Sequence, residues 1–100
     1  MVFFFVKTDN PRPTFQTDMT PQERETMGKH VEYWTGYAKR GKAVVFGPVA
    51  DPKGVYGILV ANLQDENELR RLLAADPAKD ILAYSYHLMP RAVTERMMIS

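Results

Sequence analysis

The sequence has two histidines, five tyrosines and no cysteine. Without a thiol there is no cysteine nucleophile, no disulfide and no thiolate-held metal. The most informative side chain is His30. Imidazole titrates near neutral pH, so it can give or take a proton. His30 lies three residues after Met27 and four before Trp34, beside the apolar stripe Met27, Val31, Trp34 and Ala38. That spacing is helical. A histidine so placed fits a general acid or base; it also fits a packed residue donating one hydrogen bond. Tyr33 and Tyr37 flank the same side and can line a pocket with their hydroxyl tips, or form a half-buried core edge. Arg12 can hold an anionic substrate group, or stand solvated in a loop. Gly47 and Pro48 can bring backbone close to a ligand, or simply stop a strand. His87 is read as structural. It forms no ligand-spaced pair with His30, so no metal is expected. A glycine-rich phosphate loop and a Gly-x-Ser-x-Gly elbow are both absent, so nucleotide and serine-hydrolase readings lack support, and no cofactor is expected.

The element carrying His30 is the longest helix, Thr20 to Gly41. Thr20 at the N-cap, Pro21 next and Glu23 three residues on make a capping box. Gly41 is the expected stop, with Lys39 and Arg40 in the last turn. Before this helix, Val2 to Lys7 reads as a strand and Thr8 to Met19 as a long loop containing Arg12 and Phe15. After it, Ala43 to Phe46 and Val55 to Ala61 read as a hairpin across the Asp51-Pro52-Lys53-Gly54 turn. Asp65 and Glu68 open a second helix with Leu69, Leu72 and Leu73 on its apolar face, ended by Asp76-Pro77. Ile81 to Leu88 is the fourth strand, with Tyr84, Tyr86 and Leu88 on one face.

The order β-α-β-β-α-β implies an α+β, ferredoxin-like domain with a four-stranded antiparallel sheet and both helices on one face. A single domain is expected over residues 1–100, with a core at about 1–90 and a tail at 91–100. A formal net charge of +1 argues against a nucleic-acid partner, which calls for a strongly basic face. The apolar run Val2 to Val6 is too short to span a membrane or to act as an export signal, so a cytoplasmic setting is expected. The first and third strands are apolar on both faces, through Phe3 and Phe5 as well as Phe4, and Ile58 and Val60 as well as Leu59. Two helices cover one face only, and the other is too apolar to leave bare. A homodimer joined through the sheet faces is therefore expected. The apolar tail residues Val93, Met97, Met98 and Ile99 are expected to help cover it.

A helix opening Thr-Pro-Gln-Glu and carrying His30, then Gly-Pro-Val at 47–49, then Asp-Pro at 76–77, resembles the YCII-related proteins of the dimeric α/β barrel superfamily. The likeness spans roughly residues 1–90. It implies a dimer with back-to-back sheets and a His–Asp pair as active site, which by motif match is His30 and Asp76. It points to isomerase or lyase chemistry, of muconolactone-isomerase or dehydrochlorinase type, on a small ring acid or lactone. A non-catalytic ligand-binding or accessory dimer would use the same cleft.

Overall fold

A computed structural model describes residues 1–94. The chain runs β1 (Val2–Asp9), α1 (Phe15–Asp18), α2 (Pro21–Lys39), β2 (Ala43–Val49), β3 (Tyr56–Leu63), α3 (Glu66–Ala74) and β4 (Ala83–Leu88). The strands form one antiparallel sheet in the order β2-β3-β1-β4. This is the expected α+β, ferredoxin-like arrangement. Side chains alternate across the sheet. Phe4 and Val6 of β1 and Leu59, Ala61 and Leu63 of β3 meet Trp34 of α2 and Leu69, Leu72 and Leu73 of α3 in the core.

Local sequence explains the helix ends. Thr20 Oγ1 accepts from the Glu23 N–H at 3.1 Å while Glu23 Oε1 accepts from the Thr20 N–H at 2.9 Å. Such a cap is typically worth about 1 kcal/mol. At the other end Gly41 takes φ 78°, and the Lys42 N–H reaches back to the Tyr37 carbonyl at 2.9 Å. This reversal needs a left-handed residue, which glycine supplies without a Cβ clash. In α3, Asp65 accepts from the Glu68 N–H at 2.9 Å, but the Glu68 carboxylate turns to the Gln64 N–H and to Lys42.

Several boundaries differ from expectation. β1 continues to Asp9, because Thr8 is buried among the core strands. The expected loop therefore starts later, and it contains the single turn α1 with Phe15 fully buried. β2 runs through Gly47 and Pro48 to Val49. It is an edge strand, where the N–H that proline lacks need not enter a ladder. The inward face of α2 also differs. Val31 is 50 % exposed and Ala38 is exposed, whereas Tyr33, His30 and Tyr37 are half-buried around buried Trp34. His30 thus lies on the inward face, one turn before Trp34. Met97, Met98 and Ile99 lie outside the described residues, and Val93 is exposed.

One close approach fixes the sheet beside the site. Thr8 and Gly57 are register partners, and a Cβ on Gly57 would stand 2.3 Å from Thr8 Oγ1. Threonine is stiff at χ1 and cannot easily turn aside. Gly57→Ala should therefore destabilise the fold by about 1–3 kcal/mol. Thermal melts should show most of the loss recovered in the Gly57→Ala, Thr8→Ala double variant. An unchanged melting temperature in the single variant would contradict this.

Candidate functional site

Asp76 sits just past the end of α3, in the turn begun by Pro77, and is only 1 % exposed. A carboxylate so buried must be surrounded by donors. The Ala78 N–H donates to Oδ1 at 2.9 Å, closing a local turn. The remaining donors come from α2. Trp34 Nε1 donates to Oδ2 at 2.8 Å, and His30 Nδ1 lies 2.9 and 2.8 Å from Oδ1 and Oδ2. His30 and Trp34 are four residues apart, so one helix face presents both groups to one carboxylate. Burial pushes the Asp76 carboxyl up, but hydrogen bonds from His30, Ala78 and Trp34 outweigh it and hold the group below the ordinary aspartate value. An ionised Asp76 can only accept, so the network assigns the proton on the neutral imidazole to Nδ1. Nε2 is then the free basic nitrogen.

His30 also lines a cavity of about 210 Å³. α2 supplies Met27, Val31 and Trp34 to its wall, and the α1 segment supplies Phe15, Gln16 and Met19. The sheet supplies Val6, Thr8, Leu59 and Tyr84, and the paired ends of β2 and β3 supply Phe46, Gly47, Pro48 and Gly57. The wall is mainly apolar, with a few polar groups, as is usual for a small-molecule site. Among the described residues it includes no lysine, arginine, aspartate or glutamate.

The residues singled out in the sequence divide into three groups. His30, Gly47 and Pro48 line the cavity. Asp76 stands behind His30 and holds it. Arg12, Tyr33 and Tyr37 lie elsewhere. The Arg12 guanidinium grips Glu23 at 2.9 and 2.8 Å and Asp18 at 2.8 Å. It ties the β1–α1 loop to the first turn of α2 instead of pointing into the cavity. Those contacts raise the Arg12 pKa further, and with the Thr20 N–H they draw the Glu23 carboxyl down to about 2. The Tyr33 hydroxyl donates to the Leu72 carbonyl at 2.6 Å, and its ring meets Trp34 and Tyr37 edge-on at 5.0 and 5.1 Å. Tyr33 thus packs between α2 and α3, with Tyr37 edge-on against its ring.

Sequence reasoning missed three contributors. Trp34 was visible only as an apolar residue, although indole carries a donor and sits one helical turn from His30. Thr8 fell within an expected loop, whereas Phe15, expected in that loop as a residue able to reach a ligand, does line the cavity. Tyr84 was placed on the correct strand face, but nothing local showed that its side chain would line the cavity.

The described residues contain no helix long and apolar enough to cross a membrane. The YCII-related domain matches residues 1–86 of the chain. No curated protein matches it. Among solved structures, the chain is similar to 5-chloro-2-hydroxyhydroquinone dehydrochlorinase from Burkholderia phenoliruptrix AC1100, in complex with 2,5-dihydroxybenzoquinone. The two share 16 % identity with a TM-score of 0.60, over 93 % of this chain and 97 % of the other. At that identity the likeness shows a common fold.

Proposed function

We propose that this chain, which belongs to the YCII-related domain family, is a small-molecule isomerase or lyase in which His30 moves a proton and Asp76 positions it. The carrying observation is the pair itself. His30 Nδ1 is fixed at 2.8–2.9 Å by a buried carboxylate while the same imidazole lines a cavity. Such a base is oriented, has one nitrogen free and faces a mainly apolar cavity. In an isomerisation, Nε2 takes a proton from one ring carbon and returns it to another. In an elimination, it takes the proton while the leaving group departs with its bonding electrons. Neither step consumes another reagent. The structural neighbour's dehydrochlorinase activity supports this class loosely.

The substrate class is a small ring compound, an acid, lactone or hydroxylated aromatic. Screening such compounds for turnover and for binding, with 2,5-dihydroxybenzoquinone included, and repeating each hit with His30→Ala, tests the proposal. Turnover lost in the variant supports it. Turnover retained in full rules out His30 as the proton carrier. Saturable binding with no turnover of any ligand favours the alternative, a non-catalytic binding protein.

We also infer a single domain over residues 1–100 that pairs as a homodimer through the outer sheet face. Register places Val45, Val60 and Phe5 in one row across β2, β3 and β1, next to His87 of β4. Val45 is 50 % and Phe5 36 % exposed. A row of this kind is poorly suited to water. Sedimentation equilibrium at micromolar concentration should give about twice 11.4 kDa. A stable species at the single-chain mass would refute the pairing.

A further inference from the structure

The proton-transfer scheme uses His30 and Asp76 and gives no task to the strands that form the other side of the cavity. Register puts Tyr84, Thr8, Gly57 and Pro48 in one row across β4, β1, β3 and β2. All four line the cavity that His30 lines. Thr8 is only 8 % exposed, and its side chain forms no hydrogen bond among the described residues. The Tyr84 oxygen is shut off from solvent; the Thr8 oxygen is not. With the rest of Thr8 buried, that opening is onto the cavity.

Gly57 makes the opening. A Cβ there would stand 2.3 Å from Thr8 Oγ1, so the hydroxyl lies over a residue with no side chain to cover it. Threonine is stiff at χ1, so the hydroxyl is oriented before any ligand arrives. Folded proteins rarely leave a buried polar group unpaired without a use, and a preorganised group binds at lower entropic cost. Trp34 and Asn10, also in the wall, commit their side-chain N–H groups to Asp76 and to the Val55 carbonyl. The wall contains no lysine or arginine. A carboxylate entering it would lose hydration without gaining a permanently charged partner. A hydroxyl or carbonyl oxygen loses far less, and a threonine hydroxyl can donate to it or accept from it.

We propose that Thr8 is a ligand-binding residue whose hydroxyl hydrogen-bonds a hydroxyl or carbonyl oxygen of the ring held against His30, so that the cavity selects phenol- or lactone-like rings over ring carboxylates and plain hydrocarbon rings. This rests on the reading of the cavity as a small-molecule site, and it narrows the substrate class. Sites built to hydrogen-bond a substrate oxygen discriminate against ligands that leave the site's group unpaired.

The test is calorimetric titration of the full chain, at neutral pH, with 4-chlorophenol, its isostere 4-chlorotoluene and the anion 4-chlorobenzoate. Wild type should bind 4-chlorophenol about tenfold more tightly than either of the others, in line with one hydrogen bond. Thr8→Val should lose about that factor for 4-chlorophenol and nothing for 4-chlorotoluene, without a lower melting temperature, because no internal hydrogen bond is removed. Thr8→Ser keeps the hydroxyl and should keep the preference. Thr8→Ala, also without the hydroxyl, gives the same comparison should valine crowd Gly57. The loss should persist in a His30→Ala background, which separates the hydroxyl from the imidazole. Failure of wild type to bind 4-chlorophenol, absence of its preference over the other two, or undiminished affinity in the hydroxyl-free variants would each overturn the assignment. So would an equal loss of 4-chlorophenol and 4-chlorotoluene, which marks a change of shape alone. The proton-transfer reading fails separately: it falls if His30→Ala keeps full turnover, even where Thr8→Val loses 4-chlorophenol binding.

Discussion

His30→Ala should lower turnover of any substrate found by about 10²- to 10⁴-fold, the usual contribution of a positioned acid or base. The structure changes what else this substitution is expected to do. A histidine flanking the apolar stripe could be removed with little effect on the fold. The observed His30 is half-buried on the inward face and bonded to Asp76. Its loss removes a charge-assisted hydrogen bond and opens space, so stability should also fall, by about 1.5–3 kcal/mol. Asp76 retains the Trp34 and Ala78 donors, which should keep the variant folded. His30→Gln separates the two effects. An amide can donate toward Asp76 but cannot serve as a base. Its melting temperature should lie nearer the wild type while its activity remains as low as that of His30→Ala. Full activity in His30→Gln would remove imidazole from the mechanism.

Asp76→Ala should be the most damaging single change for the fold. It strips the partner from the Trp34 indole N–H, the Ala78 N–H and the His30 ring together. Breaking a buried, hydrogen-bonded charge site of this kind costs about 3–5 kcal/mol. Chemical denaturation should show that loss, and activity should fall with it because His30 is no longer held. Asp76→Asn keeps the shape and removes the charge, so it isolates the pH dependence. The folded Asp76 pKa is lowered, because hydrogen bonds from His30, Ala78 and Trp34 overcome the effect of burial. Its stabilising effect is therefore complete above the unfolded value, about 3.9, and is lost as pH falls through the lower folded value. Below about pH 4, wild-type stability should fall more steeply with acid than that of Asp76→Asn. Parallel curves would show that Asp76 is not ionised in the folded state.

Much of this architecture was legible because its signals are local. The Thr20–Glu23 capping box, the Gly41 stop and the succession of strands and helices depend on residues close in sequence. The pairing of His30 with Asp76 spans 46 positions. Spacing could not reveal it, and only the family resemblance brought it into view. The inward face of α2 was misjudged for a different reason. Apolarity placed Val31 and Ala38 inside, while aromatic rings with polar tips won the buried positions through larger contact area and a bond to Leu72. Arg12 was read as free because its partners, Asp18 and Glu23, look like ordinary surface acids until the loop folds back onto α2. Gly47-Pro48 ends most strands but not an edge strand, and edge position is a property of the whole sheet.

The indole bond to Asp76 also makes the site optically addressable. Trp34 is the sole tryptophan of the chain, and its N–H points at the carboxylate that orients His30. With excitation at the red edge, where the five tyrosines do not absorb, all emission therefore arises one hydrogen bond from the candidate site. Ligand entry, carboxylate protonation and loss of the His30 contact each alter the field around that single fluorophore, with no label added.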